Sequence, residues 1–211
     1  NLPMLTGNPK PETIHDFYGF PKPLYAIQYP APGSPALGER ALALLKVAGF
    51  TAAIDGCRGL DHGAWSPLLH MYPRADVPVV QVSVQTGLGP KHHLALGRAL
   101  APLAQEGILI LGSGHMTHNL RERRGEGAAP LPYVKEFQAW VRERIVHKDF
   151  DALDDYRARS PGGARAHPTD EHFLPLFVAL GAAGPDFRAE LLYDGIETGS
   201  LAMDAYRFDA A

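Results

Sequence analysis

Apolar positions recur along this chain at two spacings, and the spacing separates helix from strand. Ser34 can cap a helix that has Pro35 at its first position. Leu37, Ala41, Leu44, Leu45 and Ala48 give it one apolar stripe, and Gly49 ends it. Residues 50–54 read as a short strand and 66–72 as one or two helical turns. Residues 77–84 are apolar or β-branched apart from Pro78 and Gln81, which predicts a central strand covered on both faces. A helix is expected over 91–105, with His92 and His93 facing solvent. The apolar run 108–111 follows as a second strand buried on both faces. Val134, Phe137, Val141 and Ile145 mark an amphipathic helix over 133–146, and 151–159 a short polar one. Thr169 reads as the cap of a last helix running to about Gly181. Strands at 190–193 and 200–208, joined by the turn at Asp194-Gly195, close one edge of the sheet. Residues 1–35 carry too many prolines for long regular structure and read as an ordered loop over a surface or pocket. Strand–helix alternation with a late strand pair gives an α/β fold: one domain, with a central, mainly parallel or mixed sheet flanked by helices.

Composition narrows the class. The 211 residues fit one domain with a full core, and a net charge of −3 gives no reason to expect a nucleic-acid partner. No apolar run is long enough to span a bilayer and no signal peptide is evident, so a cytoplasmic protein without a membrane partner is expected. The single cysteine, Cys57, excludes an internal disulfide framework. Ten histidines are unusual at this length, and histidine is the commonest metal ligand.

The central stretch is 107–120. After the apolar run, Gly112-Ser113-Gly114 breaks the strand, and His115 and His118 follow three residues apart. If a helix starts there, both imidazoles lie on its first turn. Open α/β sheets place ligands at the carboxyl ends of strands, so these histidines would stand where a site is expected. The turn could also cradle a phosphate, but it lacks the lysine and spacing of a P-loop. His62 lies between Asp61 and Gly63 in a loop after a strand. His15 sits in the proline-rich segment beside Asp16, which could orient it or cap a turn. His172, preceded by Asp170 and Glu171, falls at a helix start and is placed to bind a cation or simply to sit within a cap.

Six motifs occur in order. They are Thr-Ile-His-Asp-Phe-Tyr-Gly-Phe-Pro (13–21), Tyr-Pro-Ala-Pro-Gly-Ser-Pro (29–35), Asp-His-Gly-Ala-Trp (61–65), Gly-Ser-Gly-His-Met-Thr-His-Asn-Leu (112–120), His-Pro-Thr-Asp-Glu-His-Phe-Leu-Pro-Leu (167–176) and Gly-Ser-Leu-Ala-Met (199–203). Together they resemble the class III extradiol ring-cleavage dioxygenases, and within them the DOPA 4,5-dioxygenase branch. The resemblance implies a non-haem Fe(II) site, in which zinc is also found, that opens a DOPA-like or other small catechol with O2 to a muconic semialdehyde. It implies His172 as a metal ligand. It implies His118 as the acid/base group beside the metal and an occasional ligand. His62 would be catalytic and line the substrate pocket, with His15 beside it. It gives no role to His115 or His167. An oligomer is compatible with the family. Two further family ligands, in His-Gly-Ser-Pro and Ser-Ala-His-Trp motifs, have no counterpart here, so residues 1–211 are expected to be one catalytic domain lacking the family's N-terminal segment. Two rival readings are a zinc hydrolase on the same fold, indifferent to O2, and a non-catalytic domain that has lost its metal site.

Overall fold

The computed structural model of the chain describes residues 2–210. It is a mixed α/β fold whose backbone groups into two compact units, 1–84 and 85–211.

In the first unit, β1 (Met4–Thr6) pairs in parallel with β2 (Ala53–Asp55), and α1 (Pro35–Val47) packs against both. The Ser34 hydroxyl accepts the Leu37 N–H at 3.3 Å, which is the predicted cap. Strand β1 falls inside the stretch expected to be loop. The strand expected over 77–84 does not form. Thr6 N–H donates to the Gln81 carbonyl and Ser83 N–H to the Met4 carbonyl, but the next contacts go to side chains, Gln81 N–H to Thr6 Oγ1 and Met4 N–H to Ser83 Oγ. With Pro78 lacking a donor, the segment lies antiparallel beside β1 through single bridges, which makes the small sheet mixed. Helix α2 (His62–Met71) begins earlier than expected, so His62 is its first residue rather than part of a loop. Tyr29, Leu60, Trp65 and Leu68 form this unit's core.

The second unit opens with α3 (Gly89–Leu100), which ends before Pro102, and the short α4 (Pro102–Gln105) continues it. His93 is buried in α3, contrary to the expectation that it faces solvent: its Nδ1–H donates to the Gly89 carbonyl and its Nε2 accepts the Gln85 N–H. Helix α5 (Pro132–Val146) forms as its stripe predicts, with Val134, Phe137, Val141 and Ile145 fully buried. Three short helices follow, α6 (Phe150–Asp154), α7 (Tyr156–Arg159) and α8 (Gly163–Ala166). Helix α9 (Leu174–Ala182) packs along α3. Strands β3 (Phe187–Tyr193) and β6 (Ala205–Ala210) form an antiparallel ribbon, with the small hairpin β4 (Ile196–Glu197) and β5 (Leu201–Ala202) between them.

Residues 107–118 carry no regular structure. The strand expected at 108–111 is absent among the described residues, and Leu109 and Leu111 are 61% and 43% exposed, alternating with half-buried Ile108 and Ile110. That is an extended segment covered on one side only. No helix begins at His115 either. A bend at Met116 leads to a 3-10 turn over Leu120–Glu122.

Candidate metal centre

The loop 114–119 is fixed from several sides before any side chain is considered. His115 N–H donates to the His172 carbonyl at 2.7 Å, and Met116 N–H to the Ala202 carbonyl at 3.1 Å. His118 N–H donates to the Ala166 carbonyl at 2.8 Å, and Asn119 Nδ2–H to the Arg165 carbonyl at 2.9 Å. Thr117 is fully buried; its hydroxyl donates to the Ser200 carbonyl and accepts the Ala202 N–H. His167 Nε2–H donates to the Met116 carbonyl at 2.8 Å. A Cβ on Gly114 would stand 2.2 Å from the His172 carbonyl oxygen, so only glycine lets the loop lie this close to residue 172.

His172 comes from the other side. It was expected in the first turn of a helix, but α9 starts two residues later. Pro175 sets this limit, because its ring would clash with the carbonyl of Glu171 if residue 171 were helical. Thr169 is accordingly no helix cap; its hydroxyl donates to Glu171 Oε1 at 2.8 Å. The same oxygen accepts His172 Nδ1–H at 3.1 Å, which leaves Nε2 as the ring's ligand atom. Burial pushes the Glu171 carboxyl up, but the hydrogen bonds from Thr169 and His172 outweigh it and hold the group below its ordinary value.

These two supports bring His115, His118 and His172 together, all half-buried, with one ring nitrogen from each lying within 4.8 Å of the others. The His118 and His172 rings stack, with centroids 3.5 Å apart and planes 14° from parallel. The His115 centroid is 5.0 Å from His118 and 5.6 Å from His172. Two metal–nitrogen bonds of ~2.1 Å span at most about 4.2 Å. The three nitrogens are close enough to share one ion once the stacked His118 and His172 rings turn so that their in-plane lone pairs converge, and three imidazoles are a donor set suited to a first-row transition metal. His118 and His172, which the resemblance names as ligands, lie together. His115 was given no role by sequence reasoning; its spacing to His118 was the available signal, and it is joined to His172 only through a contact 57 positions away in the chain, which no spacing shows.

The other two candidates stand in the first unit. His62 Nδ1 is 2.7 Å from Asp16 Oδ1, and the His62 backbone N–H donates to the same oxygen at 3.1 Å. Asp16 thus orients His62 and not its neighbour His15. Burial raises the Asp16 carboxyl, the bonds from His62 lower it further, and the net position is below the ordinary value. His15 Nε2–H donates to the Ile27 carbonyl at 3.0 Å. Its ring meets Phe17, Tyr25 and Trp65 at centroid distances of 5.9, 6.2 and 5.8 Å, and Phe17 also meets His62 edge-on at 5.8 Å. This is an aromatic wall with two imidazoles set into it.

Residues 3–206 match the family described as "Catalytic LigB subunit of aromatic ring-opening dioxygenase". The chain is 45% identical over 200 residues to a 4,5-DOPA dioxygenase extradiol of Beta vulgaris, covering 93% of this chain and 74% of that protein. It is 40% identical over 203 residues to the Escherichia coli protein of the same description, covering 94% and 74%. The crystal structure of an uncharacterised Escherichia coli K12 protein superposes with a TM-score of 0.81 at 35% identity, covering 97% of this chain and 79% of that one.

Proposed function

The chain belongs to the LigB family of aromatic ring-opening dioxygenases and is an extradiol catechol-cleaving enzyme, and from that premise we propose how its own residues serve the reaction and which metal they use. The observation that carries the proposal is the gathering of His118 and His172 with His115, one ring nitrogen from each lying within 4.8 Å of the others. The metal is Fe(II), held by His172 and, while no substrate is bound, by His118, whose ring nitrogen is free for proton transfer once catechol takes its place. When bound, it supplies open positions at which both catechol oxygens and O2 can meet, with redox chemistry that zinc in the same place lacks. The substrate is DOPA or a similar small catechol, in keeping with the names of the relatives above, and residues 1–211 act as one catalytic domain. Among the described residues no helix is long and apolar enough to cross a membrane; a cytoplasmic location is part of the proposal.

Extradiol cleavage inserts both atoms of O2 and consumes no proton overall. A proton taken from a catechol hydroxyl on binding must therefore be returned to the product. His118 is the group for both transfers, because its backbone is fixed to Ala166 and its ring is clamped against His172, so a ring nitrogen is held in place through both steps. His62, held through Nδ1 by Asp16, keeps Nε2 for a hydrogen bond to charge developing on an oxygen. His15 and the rings set edge-to-face around it offer an apolar aromatic surface to the substrate.

The test is anaerobic loading of the purified protein with excess Fe(II), then a panel of catechols in air while following the yellow ring-opened product. Product formation with iron and none with zinc is expected. His118→Ala, kept loaded by the excess iron, should lose turnover by two to four orders of magnitude, the usual contribution of a positioned acid/base group. Turnover at the parent rate would remove His118 from this role, and hydrolysis of esters without O2 would favour the zinc hydrolase.

A further inference from the structure

We propose that His115 is itself a metal ligand, so that residues 85–211 carry a three-imidazole centre made of His115, His118 and His172. The proposal rests on the metal-dependent reading above and names the ligand set of that site.

Three observations carry it. The first is placement: one ring nitrogen from each of the three residues falls within 4.8 Å of the others, and the half-buried His115 ring stands beside the stacked pair of His118 and His172. The second is fixation. The backbone of residue 115 is bonded to His172, the next N–H to Ala202, and the next carbonyl to His167. Gly114 permits a contact with the His172 carbonyl that any side chain would block. A loop held this firmly fixes the backbone from which the ring projects, which is the first part of the preorganisation a metal ligand needs. The third is orientation from behind. Glu171 takes Nδ1 of His172 and is itself held by Thr169, an arrangement of carboxylate behind imidazole that fixes the ligating nitrogen. Three neutral nitrogen donors favour Fe(II), Co(II), Ni(II) or Zn(II) over Mg(II) and Ca(II), which prefer oxygen.

The probe is Co(II) alone, titrated into the full chain without substrate and followed by its visible absorption and by competition with a chromophoric chelator. The parent should take up one Co(II). His115→Asn should weaken binding at least tenfold, the scale already seen when only outer-shell partners of a ligand are changed, and should alter the visible band. His115→Cys, made in a Cys57→Ser background because Cys57 is an exposed thiol, should retain Co(II) and add a near-ultraviolet thiolate-to-metal band absent from the background protein. That band reports contact between residue 115 and the ion even if the asparagine variant folds poorly. If His115→Asn binds as tightly with an unchanged spectrum, or His115→Cys binds Co(II) without the new band, His115 is not a ligand and the centre built on His118 and His172 stands. If the parent takes up no Co(II), both this proposal and the metal-dependent reading fail.

Discussion

His167 sits with no solvent exposure among Phe137, Tyr156 and Phe173, stacked on Phe173 at 4.7 Å, and donates from Nε2 to the carbonyl of Met116. Its place in the sequence assigns it no role, because the role comes from a carbonyl 51 positions away. Burial drives its imidazole down to about 4. An unfolded histidine titrates near 6.5. As the pH falls from 6.5 to about 4, the unfolded chain therefore takes up a proton that the folded one refuses. The stabilisation is complete above about 6.5 and is lost through that window, by on the order of 3 kcal/mol in all and about 2 kcal/mol between pH 7 and pH 5. His167→Gln can still donate to Met116 but cannot titrate. Urea melts at pH 7 and pH 5 should show the parent losing about 2 kcal/mol more than the glutamine variant; equal losses would show that His167 does not set this pH dependence. The residues of the candidate site were legible to the extent that residue type and neighbours define them. His118 and His172 were found by motif, whereas the pairing of Asp16 with His62 across 46 positions was not.

Helices α3 and α9 show what element-level reading captures and what it misses. Both were expected, but not that they would lie against each other backbone to backbone. A Cβ on Gly97 would stand 2.1 Å from the Val178 carbonyl oxygen, and one on Gly181 would stand 2.1 Å from that of Leu94. The two glycines are reciprocal, each making room for the other helix. Because α9 begins two residues after His172, this crossing also sets where the 170–173 turn can lie. Gly97→Ala gains helix propensity of roughly 1 kcal/mol but must push α9 away. Overpacking of this kind costs about 1–3 kcal/mol, and here the obstacle is backbone, which cannot rotate aside. A net loss of thermal stability is expected, together with weaker Co(II) uptake as the turn shifts; a stabilised variant would show that the helices can separate freely. The apolar runs at 77–84 and 108–111 misled for a related reason. An apolar run records that side chains can be buried, not that a neighbouring strand supplies a hydrogen-bonded ladder. Helices α1 and α5 were legible because a 3.6-residue stripe, a capping serine or a first-turn proline is written within the element itself.

At the scale of the whole chain, the proposed chemistry divides along the same line as the backbone. His115, His118 and His172 belong to the unit 85–211, and His15, His62 and Asp16 to the unit 1–84. The order of six motifs across both made the family legible before any topology was known, since motif order survives even where strands are misjudged. The division gives a test that single-site arguments do not. If metal binding resides in one unit and substrate handling in the other, changes in the two should fail differently. His172→Ala should lower metal content and turnover together, and excess Fe(II) should restore part of the latter. His62→Gln should keep the metal content of the parent yet lower kcat by about 10²–10³, the usual cost of removing one donor to developing charge. Asp16→Asn should fall between, because the His62 ring stays tethered but its partner is no longer an anion. The measurement is iron content by a colorimetric chelator alongside kcat and KM on the same preparations. A His62→Gln protein that loses its iron would place His62 among the metal-binding residues. One that keeps both iron and full kcat would remove His62 from the reaction.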